Sequence, residues 1–230
     1  MKVKPGLLTS IIIVTLPLVL LFSSLQVFIF RQAYYNLQFS RHNIEEATGM
    51  EMQDLLYTMD EVLRYLQGNR EDLVVVSYVN GQEREIFGQR AKEHMVDVQG
   101  LFQAGFFIRN VSLAFLLPAL LFLAFKKKKR ALAKTLAWAS CLPILAGCVL
   151  LAIMALNFSR AFVVFHEIFF SNDLWILDPR REILIQMVPQ GFFMDTALLA
   201  ATIFITANLA IGIASLIYLR RAQRLDLDPE

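Results

Sequence analysis

Two of the three histidines lie at equal distances from one strongly basic turn. His94 precedes Arg130 by 36 residues, and His166 follows it by 36 residues. If a helix runs away from the turn on each side, both imidazoles reach the same height, about 54 Å for straight helices and less if the helices bend or tilt. An imidazole accepts a proton when it is neutral and donates one when it is protonated, and both forms are accessible near neutral pH. The spacing therefore predicts that the two rings meet and carry out general acid–base chemistry.

The surroundings of the two histidines differ in polarity. Asp97 follows His94 by three residues, on the same face of a helix, and can accept the hydrogen bond that fixes a histidine tautomer. His166 lies among apolar and aromatic residues, where burial favours the neutral ring. His166 is therefore a candidate base, and Asp97 a candidate partner of His94.

Polar and aromatic residues follow His166 within ten positions. Asn172 and Asp173 either cap or break a helix, or they contact a polar substrate. Trp175 is more simply explained as an aromatic residue at a membrane interface than as a stacking platform. All three are kept as candidates for the site.

Other chemistries have weaker support in the sequence. A metal site of His94, His166 and either Asp97 or Asp173 is conceivable, but these residues form no spaced ligand motif. His94 and His166 can also be satisfied polar residues at a membrane interface, and His42 is expected to be structural. No GxSxG, HExxH, P-loop or dinucleotide fingerprint occurs, so serine hydrolase, zincin and nucleotide chemistry have no support.

The elements that position these residues are membrane helices. Hydrophobic residues make up 57% of the 230 residues and charged residues 18%, which is too apolar for a soluble domain. Apolar runs at about 7–30, 105–125, 131–156 and 193–219 are each long enough to cross a bilayer. The fold class predicted is mainly α, a polytopic membrane protein with four transmembrane helices. A net charge of +2 indicates no nucleic-acid partner.

Basic residues predict the orientation of the spans. Lys126 to Arg130 join the second and third spans, Lys2 and Lys4 precede the first, and three arginines follow the fourth. Basic residues in short loops favour the cytoplasmic side, so both termini are expected there. Residues 31–104 and 157–192 are then extracytoplasmic, the first as a small cap and the second as a loop.

The cap is expected to contain a helix and a β-hairpin. Thr48 and Glu51 have the spacing of a capping box, which predicts a helix from Met52 to the Gly68-Asn69 stop. Strands at 73–78 and 82–87 are predicted around Asn80-Gly81, a type I′ turn sequence. A further helix is expected to run from Gly88 into the second span, with bends at Gly100 and Gly105.

The second outer loop is expected to contain two helical segments. The third-span helix is predicted to continue to Phe170. Asp178 and Pro179 then have the residue types of an N-cap and first turn, and predict a short helix that ends before Pro189. Its apolar stripe predicts a position in the membrane interface.

Two segments resemble the lipoprotein intramolecular transacylases of Gram-positive bacteria. The first combines residues 83–86 (EREI) with residues 93–98 (EHMVDV), and the second combines residues 165–170 (FHEIFF) with 172–175 (NDLW) and Asp178-Pro179. The resemblance covers nearly the whole chain, including the four spans and both outer loops. It also adds Glu85 to the candidate residues.

The resemblance implies an acyltransferase of the bacterial cell membrane, with its active site on the extracytoplasmic side. Such enzymes move the sn-2 acyl chain of a diacylglyceryl lipoprotein to the α-amine of its N-terminal cysteine, which gives the lyso-form. Its implied partners are diacylated lipoproteins and membrane lipids, with no cofactor and no metal, and the chain is expected to be a monomer. His166 and His94 are the expected catalytic residues, with roles that can be exchanged. The supporting candidates are Asp97, Glu85, Asn172, Asp173 and Trp175.

Two rival functions remain open. The first is hydrolysis of a lipid or lipoprotein ester, in which the histidines activate water. The second is a non-catalytic membrane protein whose cap binds a partner or a metal. The chemical nature of the product separates these possibilities.

Overall fold

The computed structural model describes residues 5–227, with side chains from residue 6 to residue 224. Lys2 and Lys4, which contribute to the orientation argument, lie outside the described residues. Within that range the chain forms nine helices and one two-stranded sheet. In chain order they are α1 (Pro5–Ile29), α2 (Gln32–Arg41), α3 (Ile44–Thr48), α4 (Met52–Leu66), β1 (Val76–Val79), β2 (Gln82–Glu85), α5 (Gln89–Phe125), α6 (Lys129–Leu156), α7 (Phe158–Phe169), α8 (Ile183–Met187) and α9 (Gln190–Leu227).

The predicted fold class is confirmed. The described chain is mainly helical, and α1, α5, α6 and α9 are long and apolar enough to cross a membrane. Where the bilayer begins and ends along each helix stays a prediction, and so do the limits of the four spans and of the cap.

The chain divides into two compact units. Among the described residues, one unit consists of residues 5–25, 106–155 and 198–227 and contains the most apolar parts of the four long helices. Its core joins α1, α5 and α6 through small and aliphatic side chains, namely Ile12, Leu16, Leu116, Ala119, Leu123 and Ala139. Many large apolar residues of this unit, such as Trp138 and Leu142, are exposed. Such a surface is typical of helices that face lipid.

The other unit consists of residues 26–105 and 156–197. In it α2 and β1 pack on α4, and α3 packs on α8. Helix α4 buries one apolar stripe, which includes Leu55, Met59 and Val62, and each such side chain contributes about 1.5–3 kcal/mol when fully buried. This unit holds every residue of the candidate site.

The hairpin has the predicted turn and shorter strands. Asn80 and Gly81 both have positive φ, 51° and 73°, as a type I′ turn requires. The strands are limited to 76–79 and 82–85 rather than 73–78 and 82–87. One reason is that Arg70 donates a hydrogen bond to the carbonyl of Val74 at 2.6 Å, which takes that group away from strand pairing.

The predicted capping box is wrong. Thr48 is the last residue of α3, and its hydroxyl donates to the carbonyl of Ile44 at 2.7 Å. Glu51 is the N-cap of α4 but makes no side-chain cap hydrogen bond. The carboxylate of Glu45 accepts the N–H of Met52 instead, at 2.9 Å. The turn at Gly49 brings this carboxylate back to the start of α4, so the cap comes from a residue seven positions earlier.

The helical boundary after the third span also differs from expectation. The third-span helix does not continue to Phe170, because Asn157 leaves the helical conformation (φ −160°) and its side chain accepts the N–H of Arg160 as the N-cap of α7. This local hydrogen bond ends α6 inside an apolar run. By contrast, α5 is one continuous helix from Gln89 to Phe125 that includes Gly100 and Gly105, and a bend of its axis at either glycine stays a prediction.

The helix predicted from Asp178-Pro179 is also wrong. Asp178 caps only a turn, by accepting the N–H of Arg180 at 3.0 Å, and α8 is a single five-residue turn from Ile183 to Met187 that ends before Pro189. Its apolar residues are buried and α8 packs on α3. The stripe therefore contributes to the core of this unit, and the expected position of this segment in the membrane interface stays a prediction.

Replacement of Gly49 by alanine is expected to destabilise the protein more than replacement of Gly81. Both glycines have positive φ, a backbone region that costs other residues about 1–2 kcal/mol. A Cβ at Gly49 would also lie 2.5 Å from Oδ1 of Asn80, whereas a Cβ at Gly81 meets nothing within 4 Å. Thermal unfolding of both variants in detergent measures the difference, and an equal or smaller loss of Tm for Gly49→Ala would contradict it.

Candidate active site

The structure confirms that His94 and His166 meet. His94 lies in the charged first part of α5, before the apolar stretch that starts near residue 105, and His166 lies in α7. Their ring centroids are 6.1 Å apart and the ring planes are tilted by 35°. The residues are only 8% and 7% exposed. Two imidazoles that are 72 positions apart in the chain therefore share one nearly dry site.

Aromatic rings enclose the pair. His166 lies 4.2 Å from the ring of Phe162 and 4.8 Å from that of Trp175, measured between centroids. Phe170 contacts both histidines, at 5.4 Å from His94 and 5.5 Å from His166. This shell excludes water from one side of the rings and restricts their rotation.

A single hydrogen bond defines the tautomer of His166. Its Nδ1 lies 2.7 Å from the carbonyl oxygen of Phe162, four residues earlier on α7. A carbonyl can only accept, so Nδ1 carries the hydrogen and the neutral ring has its lone pair on Nε2. Burial lowers the pKa of His166, and the hydrogen bond to the carbonyl opposes this effect. The ring is therefore a neutral base at neutral pH, with Nε2 as its accepting atom.

His94 is held neutral more strongly. Its Nδ1 is buried, and no group among residues 5–227 hydrogen-bonds to it. Burial and the proximity of His166 lower the pKa of His94 to about 4, and the nearby carboxylate of Asp97 opposes them. A group with this pKa is uncharged at neutral pH. His94 is therefore better suited to forming hydrogen bonds than to carrying a proton that it later donates.

Asp97 has a different partner from the one predicted. Its carboxylate does not hydrogen-bond to His94 but accepts from the side-chain amide of Asn172 at 2.8 Å. The side-chain oxygen of Asn172 accepts the N–H of Leu174 at 3.1 Å, and its backbone carbonyl accepts from the indole of Trp175 at 3.1 Å. Asn172 thus connects α5 to the loop that positions Trp175 against His166.

Arg90 was not predicted as a site residue, yet it fixes the same loop. Its guanidinium donates to the backbone carbonyls of Asp173 and Ile176 and pairs with the carboxylate of Asp173 at 3.2 Å. Its position one helical turn before His94 was the available signal. The structure therefore places Asp173 in an ion pair with Arg90, at the edge of the site.

Glu85 is not part of the ring cluster. It lies in β2, and its carboxylate pairs with Nζ of Lys92 at 2.7 Å. In the part of the chain that the structure describes, no group of three or more His, Cys, Asp and Glu side chains is arranged to hold a metal ion. His42, expected to be structural, hydrogen-bonds to Asp195 at 3.0 Å.

The family of the chain follows from comparison with known proteins. A family model described as lipoprotein intramolecular transacylase Lit matches residues 10–193, which is most of the chain. The chain belongs to this family. Membership of the transacylase family assigns it, at that level, to the acyltransferases.

Solved structures agree with the fold. The in meso structure of the membrane integral lipoprotein intramolecular transacylase Lit from Bacillus cereus has a TM-score of 0.82 and 21% identity, with 96% of this chain and 98% of that chain covered. A structure of that protein with a histidine-to-arginine substitution has a TM-score of 0.75 and 20% identity, with 96% and 94% covered. Among curated proteins, no significant match is found. The transacylase fold is a membrane-integral one, and this chain is a multi-pass membrane protein.

Acid is expected to destabilise the protein through His94. The unfolded chain binds a proton at this residue below its ordinary pKa of 6.5, whereas the folded chain does so only near pH 4. The contribution of neutral His94 to the free energy of unfolding is fully present above pH 6.5 and is lost as the pH falls towards 4. His94→Gln removes this linkage, so its Tm should fall less than that of the wild type between pH 7 and about 4. Parallel Tm profiles would contradict the burial of a neutral His94.

Proposed function

We propose that the chain transfers the sn-2 acyl group of a diacylglyceryl lipoprotein to the α-amine of the N-terminal cysteine, which produces the lyso-form. The observation that supports this most directly is the base geometry of His166, with the hydrogen on Nδ1 and the lone pair on Nε2. Family membership supports the class of substrate. The alternative outcomes are ester hydrolysis and partner binding without catalysis.

The reaction requires that the two reacting groups of the substrate are positioned correctly, and it does not require a nucleophilic side chain from the enzyme. The ester and the amine belong to one molecule, so the substrate must only be held with the two groups in contact, and correct orientation can supply about 7–11 kcal/mol of the barrier. The amine nitrogen forms a bond to the ester carbonyl carbon, and the bond from that carbon to the glycerol oxygen breaks. The amine loses one proton and the glycerol oxygen gains one.

In this proposal His166 Nε2 takes the proton from the attacking amine. The buried His166 is a neutral base at neutral pH, and a positioned base of this kind typically contributes about 10²–10⁴-fold. The imidazolium then returns the proton to the departing glycerol oxygen. His94, whose pKa of about 4 keeps it neutral, orients the amine or donates a hydrogen bond to that oxygen. Asn172 and Arg90 are positioning residues, because they hold the loop that carries Trp175.

The same proposal places the site on the extracytoplasmic side. The basic turn from Lys126 to Arg130 and the arginines at 220, 221 and 224 favour the cytoplasmic side. A lipoprotein whose acyl chains lie in the outer leaflet then presents its cysteine at the level of the two histidines.

Single replacement of the histidines tests the proposal. Alanine at His94 or at His166 is expected to reduce conversion of diacylated lipoprotein to the lyso-form by about 10²–10⁴-fold, measured by mass spectrometry of the N-terminal peptide. His42→Gln is the matched control, because His42 lies outside the ring cluster and should retain conversion. Near wild-type conversion in a folded His166→Ala variant would remove that residue from the mechanism.

The fate of a labelled sn-2 acyl chain separates the rival functions. Transfer places the label on the cysteine nitrogen, hydrolysis releases it as free fatty acid, and a non-catalytic protein leaves it on glycerol. Free fatty acid as the main product, or no reaction, would overturn the proposed function.

A further inference from the structure

A cavity of about 300 Å³ adjoins the histidine pair. Its lining comes from two segments of the same unit, residues 96–101 of α5 and residues 169–172 at the end of α7. The ring of Phe170 separates the cavity from the histidine pair, because it lines the cavity and contacts both imidazoles. A ligand in this cavity therefore lies beside the reacting centre.

The polar part of the cavity carries an uncompensated negative charge. Asp97 lines it, and the neutral amide of Asn172 is the hydrogen-bond donor to its carboxylate. Within the described range of 5–227, no lysine, arginine or histidine forms an ion pair with Asp97; the nearby Arg90 and Lys92 are paired with Asp173 and Glu85. Asp97 is half-buried, so its field is less screened than that of an exposed carboxylate. A cationic N–H donor is the ligand that this arrangement favours.

The remaining lining leaves room for a chain next to that charge. Gly100 lies at the cavity, and a Cβ added there would meet nothing within 4 Å. Apolar walls come from Val96, Leu101 and Phe169. A mixed lining of this kind suits a short peptide with a charged end better than an acyl chain, which would bring methylene groups against a carboxylate.

We propose that this cavity binds the amino-terminal end of the substrate polypeptide, with Asp97 accepting the N–H groups of its α-ammonium and Gly100 keeping the space open for the residues that follow. The identity of the substrate rests on the proposed function. An α-amine has a reference pKa of about 7.7–8.0, so it arrives mainly as the cation that Asp97 attracts. Asp97 lies one turn from His94, which brings the ammonium beside the histidines. The ammonium first releases one proton to solvent to give the neutral amine, and His166 then takes the second proton during attack and returns it to the glycerol oxygen.

An unreactive ligand tests this binding separately from catalysis. A dialkylglyceryl-cysteine peptide with an ether at sn-2 cannot transfer its chain, and it can be made with a free or an acetylated amino terminus. The wild type is expected to bind the free-amine form about 10-fold more tightly, the factor that a charge-assisted hydrogen bond of modest strength supplies. Binding is measured by inhibition of conversion and by calorimetry in detergent.

Asp97→Asn is the decisive variant. Asparagine keeps an oxygen that can accept from Asn172 but removes the charge, so the preference for the free amine should disappear. Glu93→Gln, which removes a charge one turn away on an exposed part of α5, is the matched control and should keep the preference. Equal binding of the two ligands by the wild type, or a preference that survives in Asp97→Asn, would overturn the inference.

Gly100→Leu tests whether the open volume of the cavity beside Gly100 is needed for substrate binding. A Cβ at Gly100 would meet nothing within 4 Å, so the larger side chain of leucine is expected to occupy the cavity. The KM for diacylated lipoprotein should then rise about 10-fold with little change in kcat, as expected for lost binding alone. Gly100→Ala, which adds one carbon, should have a much smaller effect. An unchanged KM in Gly100→Leu would contradict the inference. Failure of the proposed function would be seen differently, as absence of N-acylated product from the wild type.

Discussion

Two imidazoles placed side by side in a nearly dry site favour the state in which both rings are uncharged. Burial disfavours the imidazolium form of each ring, and a charge on one ring raises the cost of a charge on the other. Burial lowers the pKa of both histidines, and the proximity of His166 lowers that of His94 further, to about 4. Burial also requires a partner for a ring N–H in the interior, and the carbonyl of Phe162 provides one for His166. The lone pair on Nε2 of His166 is a direct consequence.

The rest of the unit maintains this arrangement. Phe162, Trp175 and Phe170 pack against the rings, and the loop that carries Trp175 is held to α5 by Asn172 and by Arg90. These contacts join the start of the second long helix to the segment after α7. A catalyst for a reaction within one molecule has to hold the reacting groups in place, and a site fixed from several directions meets that need. Among the described residues Asp97 has the neutral amide of Asn172 as its partner, and the attraction that we propose for a cationic amine lies at the edge of the same site.

Features with a strong local signal were predictable from the sequence. Hydropathy identified the four long helices. Asn80-Gly81 identified the turn of the β-hairpin, because few residue types adopt positive φ at two consecutive positions. The histidine pair was predictable because His94 and His166 lie the same number of residues before and after Arg130, in the turn between the second and third spans. The features that were missed depend on choices between competing hydrogen bonds. Asn157 ends α6 within an apolar run, Glu45 rather than Thr48 caps α4, and Asp97 bonds to Asn172 rather than to His94. Spacing places these donors and acceptors near one another but does not show which pair forms.

The protonation state of His166 is the central point of the account, and nitrogen NMR of protein labelled with ¹⁵N-histidine measures it directly in detergent or nanodiscs at neutral pH. Assignment follows from loss of the signals in a His166→Ala sample. The account predicts that Nδ1 of His166 is protonated and that Nε2 is not. A ring protonated on Nε2 alone, or on both nitrogens, would contradict the assignment of His166 as the base.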